Sequence, residues 1–283
     1  MYSVEGGMRV YTTTDQQIDQ GISGINDLIK DIPPNFRYTG CVLMVSFSGQ
    51  EFPLPIVTVN PEEQLNKHTS LAWFEPRRLD LAQAAAADMA NIGWEMVKNE
   101  LDRPVLMVVP PTEKSLELSL QTAMNLGKKG VKNITPFRFS GGIFQPAAED
   151  KHRVLVQLDK DQPPIAISPD RQTGIFRVAG FQEQEIIGIC YQPVTGKNKF
   201  LYLTERQIAD FSEFIRNGGR MILSEDVVNT GATIKAMKLL FVNFCGAEAA
   251  DIQTVAAAFE GNQPCPDKTV KHVIWLPEWI GKF

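Results

Sequence analysis

Arg220-Met221-Ile222-Leu223-Ser224-Glu225-Asp226-Val227-Val228-Asn229-Thr230-Gly231-Ala232-Thr233-Ile234-Lys235 is the stretch on which the fold turns. An apolar run at 221–223 predicts a strand. Ile234, Met237, Phe241 and Phe244 recur at helical spacing and predict a helix over 233–244, stopped by Gly246. Between the two lie adjacent carboxylates, then a loop of small residues. Strand, loop and helix in that order is the unit of an open α/β sheet, which binds ligands beyond the carboxyl ends of its strands. The loop sets backbone N–H groups and two hydroxyls at a helix N-terminus, where unpaired donors and the positive end of the helix dipole suit a phosphate. Gly231 permits a positive φ, and Ala232 is small enough for backbone to approach an anion. Two acids beside a phosphate repel it unless they accept ligand hydroxyls or a divalent cation lies between the charges. Both readings point to a phosphorylated sugar. A capped helix with solvated acids would account for any one piece taken singly, but poorly for all of them in order.

The same grammar extends outward. Residues 79–97 read as an Ala-rich helix, with Leu79, Ala82, Ala86, Met89, Gly93 and Met96 at helical spacing. Arg103-Pro104 then introduces 105–109, an uninterrupted apolar strand of the kind buried on both faces. A turn at Pro110, Pro111 and Thr112 leads to a helix over 115–126, closed by Gly127, and a strand over 134–139. Residues 140–195 break the pattern with Gly141-Gly142, Pro163-Pro164 and Pro169. They hold β-like fragments at 154–158, 175–178 and 185–190, and read as an excursion of hairpins. The pattern resumes with a helix at 207–216, a turn at Gly218-Gly219 and, past the central stretch, a strand at 252–258. Ahead of it, Ile18, Ile22, Ile25 and Ile29 predict a helix over 16–30, ended by Pro33-Pro34. Two β-like runs follow at 41–47 and 52–59, and Pro53 and Pro55 demote the second to an edge strand or an extended linker. The expected division is an N-terminal segment at 1–74, a core at 75–260 with an insertion at about 143–190, and a tail at 261–283 carrying Trp275 and Trp279.

Composition narrows the function. Of 283 residues, 43% are hydrophobic and 22% charged, enough for a packed core and against disorder. With 28 basic against 33 acidic residues the net charge is −5, which argues against a nucleic-acid binder. No apolar run approaches the roughly 18 residues of a membrane span, so no membrane partner is expected. Residues 1–15 lack the layout of a signal peptide, and the four cysteines form no CxxC pair; a cytoplasmic protein is the expectation. His68, His152 and His272 stand apart, without metal-ligand spacing. No P-loop, no glycine fingerprint after a strand, no GxSxG elbow and no HExxH occurs.

Residues 222–233 resemble the phosphoribosyl-pyrophosphate (PRPP) signature of the type I phosphoribosyltransferases. The resemblance implies a mostly parallel twisted α/β sheet flanked by helices, with a hood built from the N- and C-terminal parts and a long β-rich insertion. It implies that Glu225 and Asp226 hold the ribose hydroxyls, contacting metal only indirectly through ribose or water. It further implies that Asn229, Thr230, Gly231, Ala232 and Thr233 wrap the 5′-phosphate. Thr112, Glu113, Lys114 and Ser115 stand where that family has its pyrophosphate loop, with Leu116 in place of a glycine of the adenine and xanthine branch. Residues 135–139 resemble the strand before the family's mobile loop, leaving Arg138 as the basic residue at hand. The implied activity is Mg2+-dependent transfer of the phosphoribosyl group from PRPP to a purine-like nucleobase with release of pyrophosphate, by a homodimer. Leu116, and Asn229 where some purine enzymes carry an aspartate, favour an alternative: a PRPP-binding sensor or regulatory protein that does not turn over. An ordinary doubly wound nucleotide-binding protein is the third, weaker reading. The basic residues of the excursion, among them Lys151, Arg153, Arg171 and Arg177, read as a solvated insertion or as a lid over an anionic substrate.

Overall fold

The computed structural model describes residues 2–3, 9–12, 29–30, 32, 36–59, 69–72, 74, 78–147, 152–192, 198–261, 267–276 and 279–280. The helix expected over 16–30 lies outside them except at 29–30, which are helical. An antiparallel sheet comes first, built from β1 (Tyr2–Ser3), β2 (Arg9–Thr12), β3 (Phe36–Phe47), β4 (Gln50–Val59) and β5 (Thr69–Ala72), with the last strand, β17 (Trp279–Ile280), joining beside β5. β4 lies inside this sheet, between β3 and β5, and not on its edge as its prolines predict. β5 pairs with β4 only at residues 56–58. Pro53 and Pro55 therefore sit where β3 alone flanks the strand among the described residues, and their missing N–H groups cost no second neighbour a hydrogen bond.

The central sheet holds five parallel strands: β6 (Val105–Val109), β7 (Ile134–Arg138), β14 (Arg220–Val228), β15 (Ile252–Glu260) and β16 (Val270–Leu276). Their order is β16-β15-β14-β6-β7. From β6 the chain moves to one side, and from β14 to the other. The strand order thus reverses between β6 and β14, and the crevice outside their carboxyl ends is the topological switch point of a doubly wound sheet. β16 falls in the part of the chain read as a tail; its interrupted apolar pattern, with Lys271 and His272 after Val270, hid a strand that β15 covers on one side only.

Helix α1 (Leu79–Val97) and helix α2 (Glu113–Lys128) cover one face of this sheet, sharing a core with Val105, Met107, Ile222 and the inner face of β3 and β4. The opposite face, with Leu106, Val108, Met221 and Leu223, packs against helix α4 (Ala232–Phe244) and Phe211 of helix α3 (Glu205–Arg216). β7 and α3 are joined by a second antiparallel sheet: β8 (Ser140–Pro146), β9 (Val154–Val156), β10 (Ile165–Ile167), β11 (Ile175–Phe181), β12 (Gln184–Tyr191) and β13 (Lys199–Thr204), in the order β10-β9-β8-β13-β12-β11. The hairpins expected there are present, and the pairing extends through β8, whose Gly141-Gly142 hides a strand, and through β13. No helix among the described residues is long and apolar enough to cross a membrane.

Phe241 joins three elements on the α4 face. Its fully buried ring meets Phe139 and Phe211 edge-on, at centroid distances of 5.5 and 5.4 Å. Phe241→Ala is expected to lower the stability by about 3–5 kcal/mol, read as a fall in the urea midpoint.

Candidate functional site

Two loops meet at the switch point. β6 ends in a loop whose Thr112 starts α2, and β14 carries Glu225 and Asp226 into the loop that starts α4. β14 runs further than its apolar core predicts, so the two acids belong to the strand itself, with Glu225 level with Ala256 of β15. Ser115 Oγ lies 3.1 Å from Asp226 Oδ1 and 3.4 Å from Glu225 Oε1, and 2.9 Å from Thr112 Oγ1. Ser115 is fully buried; Asp226 is half-buried.

A short chain of buried hydroxyls holds this arrangement. Ser119 Oγ donates to the Ser115 carbonyl at 2.6 Å and lies 2.7 Å from Ser224 Oγ on β14. Ser115, Ser119 and Thr122 follow one another at helical spacing on the inner face of α2, a polar stripe where an apolar one would pack as well. That spacing was legible in the sequence, and sequence reasoning passed over Ser119 and Ser224.

Glu225 is 7% exposed, inside β14 and past the point where β6 stops pairing with it. Burial, and next the neighbouring Asp226, push its carboxyl well above the usual carboxylate range. Burial thus favours the protonated form of Glu225, and its Oε2 has no hydrogen-bond partner.

Gly231 is the N-cap of α4 at φ 72°, a left-handed conformation open to glycine at little cost. The first intrahelical bond runs from Lys235 N to Gly231 O, so the N–H groups before it have no acceptor within the helix. Neither α2 nor α4 carries a side-chain cap, whereas α3 has a complete capping box of Thr204 and Gln207. Both helices that start at the switch point thus present open donors beside the acids.

The other expected residues fall as follows. Thr230 is exposed, while Ala232 and Thr233 lie half-buried in the first turn of α4. Asn229 turns its carboxamide toward the other neighbour of β14, with Nδ2 3.5 Å from Glu260 Oε2. Arg138, at the end of β7, reaches the loop after β6 and donates to the Pro111 carbonyl at 3.2 Å. Glu113 and Lys114 lie in the first turn of α2, and their side chains are outside the described residues. Tyr191, which sequence reasoning did not single out, hydrogen-bonds Thr233; burial pushes its phenol up to about 12, so it stays neutral. Among the described residues no group of three His, Cys, Asp or Glu side chains could hold a metal ion.

The raised Glu225 carboxyl links stability to pH. A folded-state value above the unfolded one means that the native chain keeps a proton the unfolded chain has lost. The contribution is full below the ordinary carboxylate range and drains away as pH rises toward the raised value. Glu225→Gln keeps the neutral shape, so it should be more stable than the parent at neutral pH. Its melting temperature should also fall less between about pH 5 and pH 8, measured by thermal unfolding across that range.

No family model matches the chain, and no curated protein matches it. Among solved structures, it is similar to a mutant hypoxanthine phosphoribosyltransferase from Trypanosoma cruzi complexed with its product IMP: 11% identity, 70% of this chain, 74% of that chain and a TM-score of 0.35. It is likewise similar to the L. donovani hypoxanthine-guanine phosphoribosyl transferase: 14% identity, 70% of this chain, 79% of that chain and a TM-score of 0.38.

Proposed function

We propose that this chain binds PRPP at the switch point and transfers its phosphoribosyl group to a purine-like nucleobase, releasing pyrophosphate. The observation that carries the reading is the meeting of the two loops: a hydroxyl of the first helix turn after β6 within 3.4 Å of both acids of β14. One loop suits the pyrophosphate, the other the 5′-phosphate, and the acids between them suit the ribose.

In this reading Asp226, the half-buried acid, accepts hydrogen bonds from the ribose hydroxyls. Glu225, whose charged form burial disfavours, stands beside that carboxylate and limits the negative charge facing an already anionic ligand. The open N–H groups of α4, with Thr230 and Thr233, take the 5′-phosphate, and those of α2, with Thr112 and Ser115, take the pyrophosphate. Displacement at the anomeric carbon builds positive charge on the sugar ring, which the Asp226 carboxylate stabilises while the N-terminus of α2 holds the leaving pyrophosphate. Mg2+ fits this donor set only as a partner of the ligand: the half-buried Asp226 carboxylate and phosphate oxygens suit it, and the buried Glu225, whose charged form burial disfavours, does not. When bound with PRPP it neutralises charge on the pyrophosphate. We further propose a cytoplasmic homodimer, the state the family resemblance implies.

A second reading, a PRPP sensor without turnover, is favoured by the burial of Glu225, which leaves Asp226 as the more accessible acid at the site, and by Leu116 in the first turn of α2. Incubation with PRPP, Mg2+ and a panel of bases separates the two: the transferase releases pyrophosphate with at least one base. Absence of release with every base, alongside a PRPP-induced thermal shift, would leave the sensor. In either case Asp226→Asn should weaken PRPP binding by about tenfold or more, as expected for a lost charge-assisted hydrogen bond. Thr230→Val should weaken it less and unfold at the parent's temperature because its side chain is exposed, and Asp226→Asn should still fold cooperatively. Calorimetric binding that matches the parent in both would remove the site assignment.

A further inference from the structure

The antiparallel sheet does more than decorate the edge of the core. Directly paired residues of β12 and β13 form a ladder: Ile187 opposite Leu203, Ile189 opposite Leu201, Tyr191 opposite Lys199. Partners at alternate positions point to the same face of a sheet. The two apolar rungs pack into the core shared with α4. The third rung is polar, and it falls at the start of α4, where the Tyr191 hydroxyl bonds the Thr233 side chain. Lys199 stands beside Tyr191 on that face, half-buried, and its charge acts on Glu225.

Among the described residues no carboxylate lies within 4 Å of the Lys199 ammonium. Glu225, on which its charge acts, is buried and forms no ion pair with it. A half-buried cation without an ion-pair partner, on the rung that reaches the first turn of α4 through Tyr191, is arranged to meet an anion from outside. The orphaned, buried Oε2 of Glu225 is a second, independent sign that the contacts here are incomplete in the free chain.

We propose that the Tyr191–Lys199 rung is part of the anion site: Lys199 binds the phosphate or pyrophosphate oxygens of the ligand, and Tyr191 positions the α4 loop through Thr233. The inference deepens the PRPP reading and rests on it for the identity of the ligand, though not for its oxyanion chemistry. The sheet inserted between β7 and α3 thereby adds a cation to the loops after β6 and β14.

Calorimetry on the full chain with PRPP and, separately, with inorganic pyrophosphate, each with Mg2+, tests it in the parent, Lys199→Met, Lys199→Arg and Tyr191→Phe. Expected are a tenfold or larger loss of affinity in Lys199→Met, affinity within a few-fold of the parent in Lys199→Arg, and a shallower dependence of affinity on salt in Lys199→Met alone. Tyr191→Phe should lose affinity while keeping the parent's salt dependence. A Lys199→Met variant that melts like the parent and binds both ligands like the parent overturns the proposal and leaves the PRPP reading standing. If the parent binds pyrophosphate but not PRPP, and Lys199→Met loses the pyrophosphate, the PRPP reading falls and the anion site stands. Failure of the parent to bind either ligand overturns both.

Discussion

A buried acid inside a central strand, level with Ala256 of β15, is the constraint from which the rest follows. At 7% exposure with Asp226 beside it, the charged form of Glu225 is disfavoured. The protonated form, and hydrogen bonding with Ser115 and Asp226, make its burial tolerable. That requirement fixes where α2 must start: its first turn has to bring a hydroxyl to the carboxyl end of β14. The contacts between Ser119, the Ser115 carbonyl and Ser224 then hold the helix in register with the strand. A core of Leu and Ala at the same positions would pack as well and tolerate more sliding. The buried hydroxyls trade some of that ease for a defined register.

The parts of the fold that alternate strongly were legible, and those that depend on partners were not. The run at 105–109 and the spacing in 79–97 read as they stand, because a five-residue apolar strand and an Ala-rich amphipathic helix leave few alternatives. The acid pair reads as lying beyond the strand, because charge usually ends a buried run. Pairing with β15 past residue 225 extends β14 instead. β4 reads as an edge from its prolines, and only the short reach of β5 along it makes an inner position compatible with them. β16 stays hidden for a related reason, since a parallel strand paired on one side needs no continuous apolar run.

The site divides in the same way. Residues adjacent in sequence, from Glu225 to Thr233, and the loop from Thr112 to Ser115 could be grouped by motif, and the strand order brings the groups together. Ser119 carried a faint signal as a polar residue on a buried helical stripe. Tyr191 and Lys199 carried none, because their placement depends on an antiparallel register that only the completed sheet defines. Asn229 shows the converse. It stands in the motif, yet its carboxamide faces Glu260 across the neighbouring strand. A position within a signature thus does not by itself give a side chain its direction.

The balance of charge explains why an insertion should sit at this point of the chain. Two open helix N-termini offer partial positive charge that fades beyond the first turn, while Asp226 offers a full negative one between them. A ligand carrying several phosphate charges gains from the first and loses to the second, so such a site needs a mobile or fixed cation. A surface lysine on either short loop would be screened by water. A lysine on the last rung of an antiparallel ladder, whose earlier rungs are locked into the α4 core, is held half-buried where its charge acts more strongly. The apolar rungs and the polar one are therefore a single device. Burial of Ile187, Ile189, Leu201 and Leu203 stabilises the sheet against α4, and the same burial fixes how far along that helix the cation can stand.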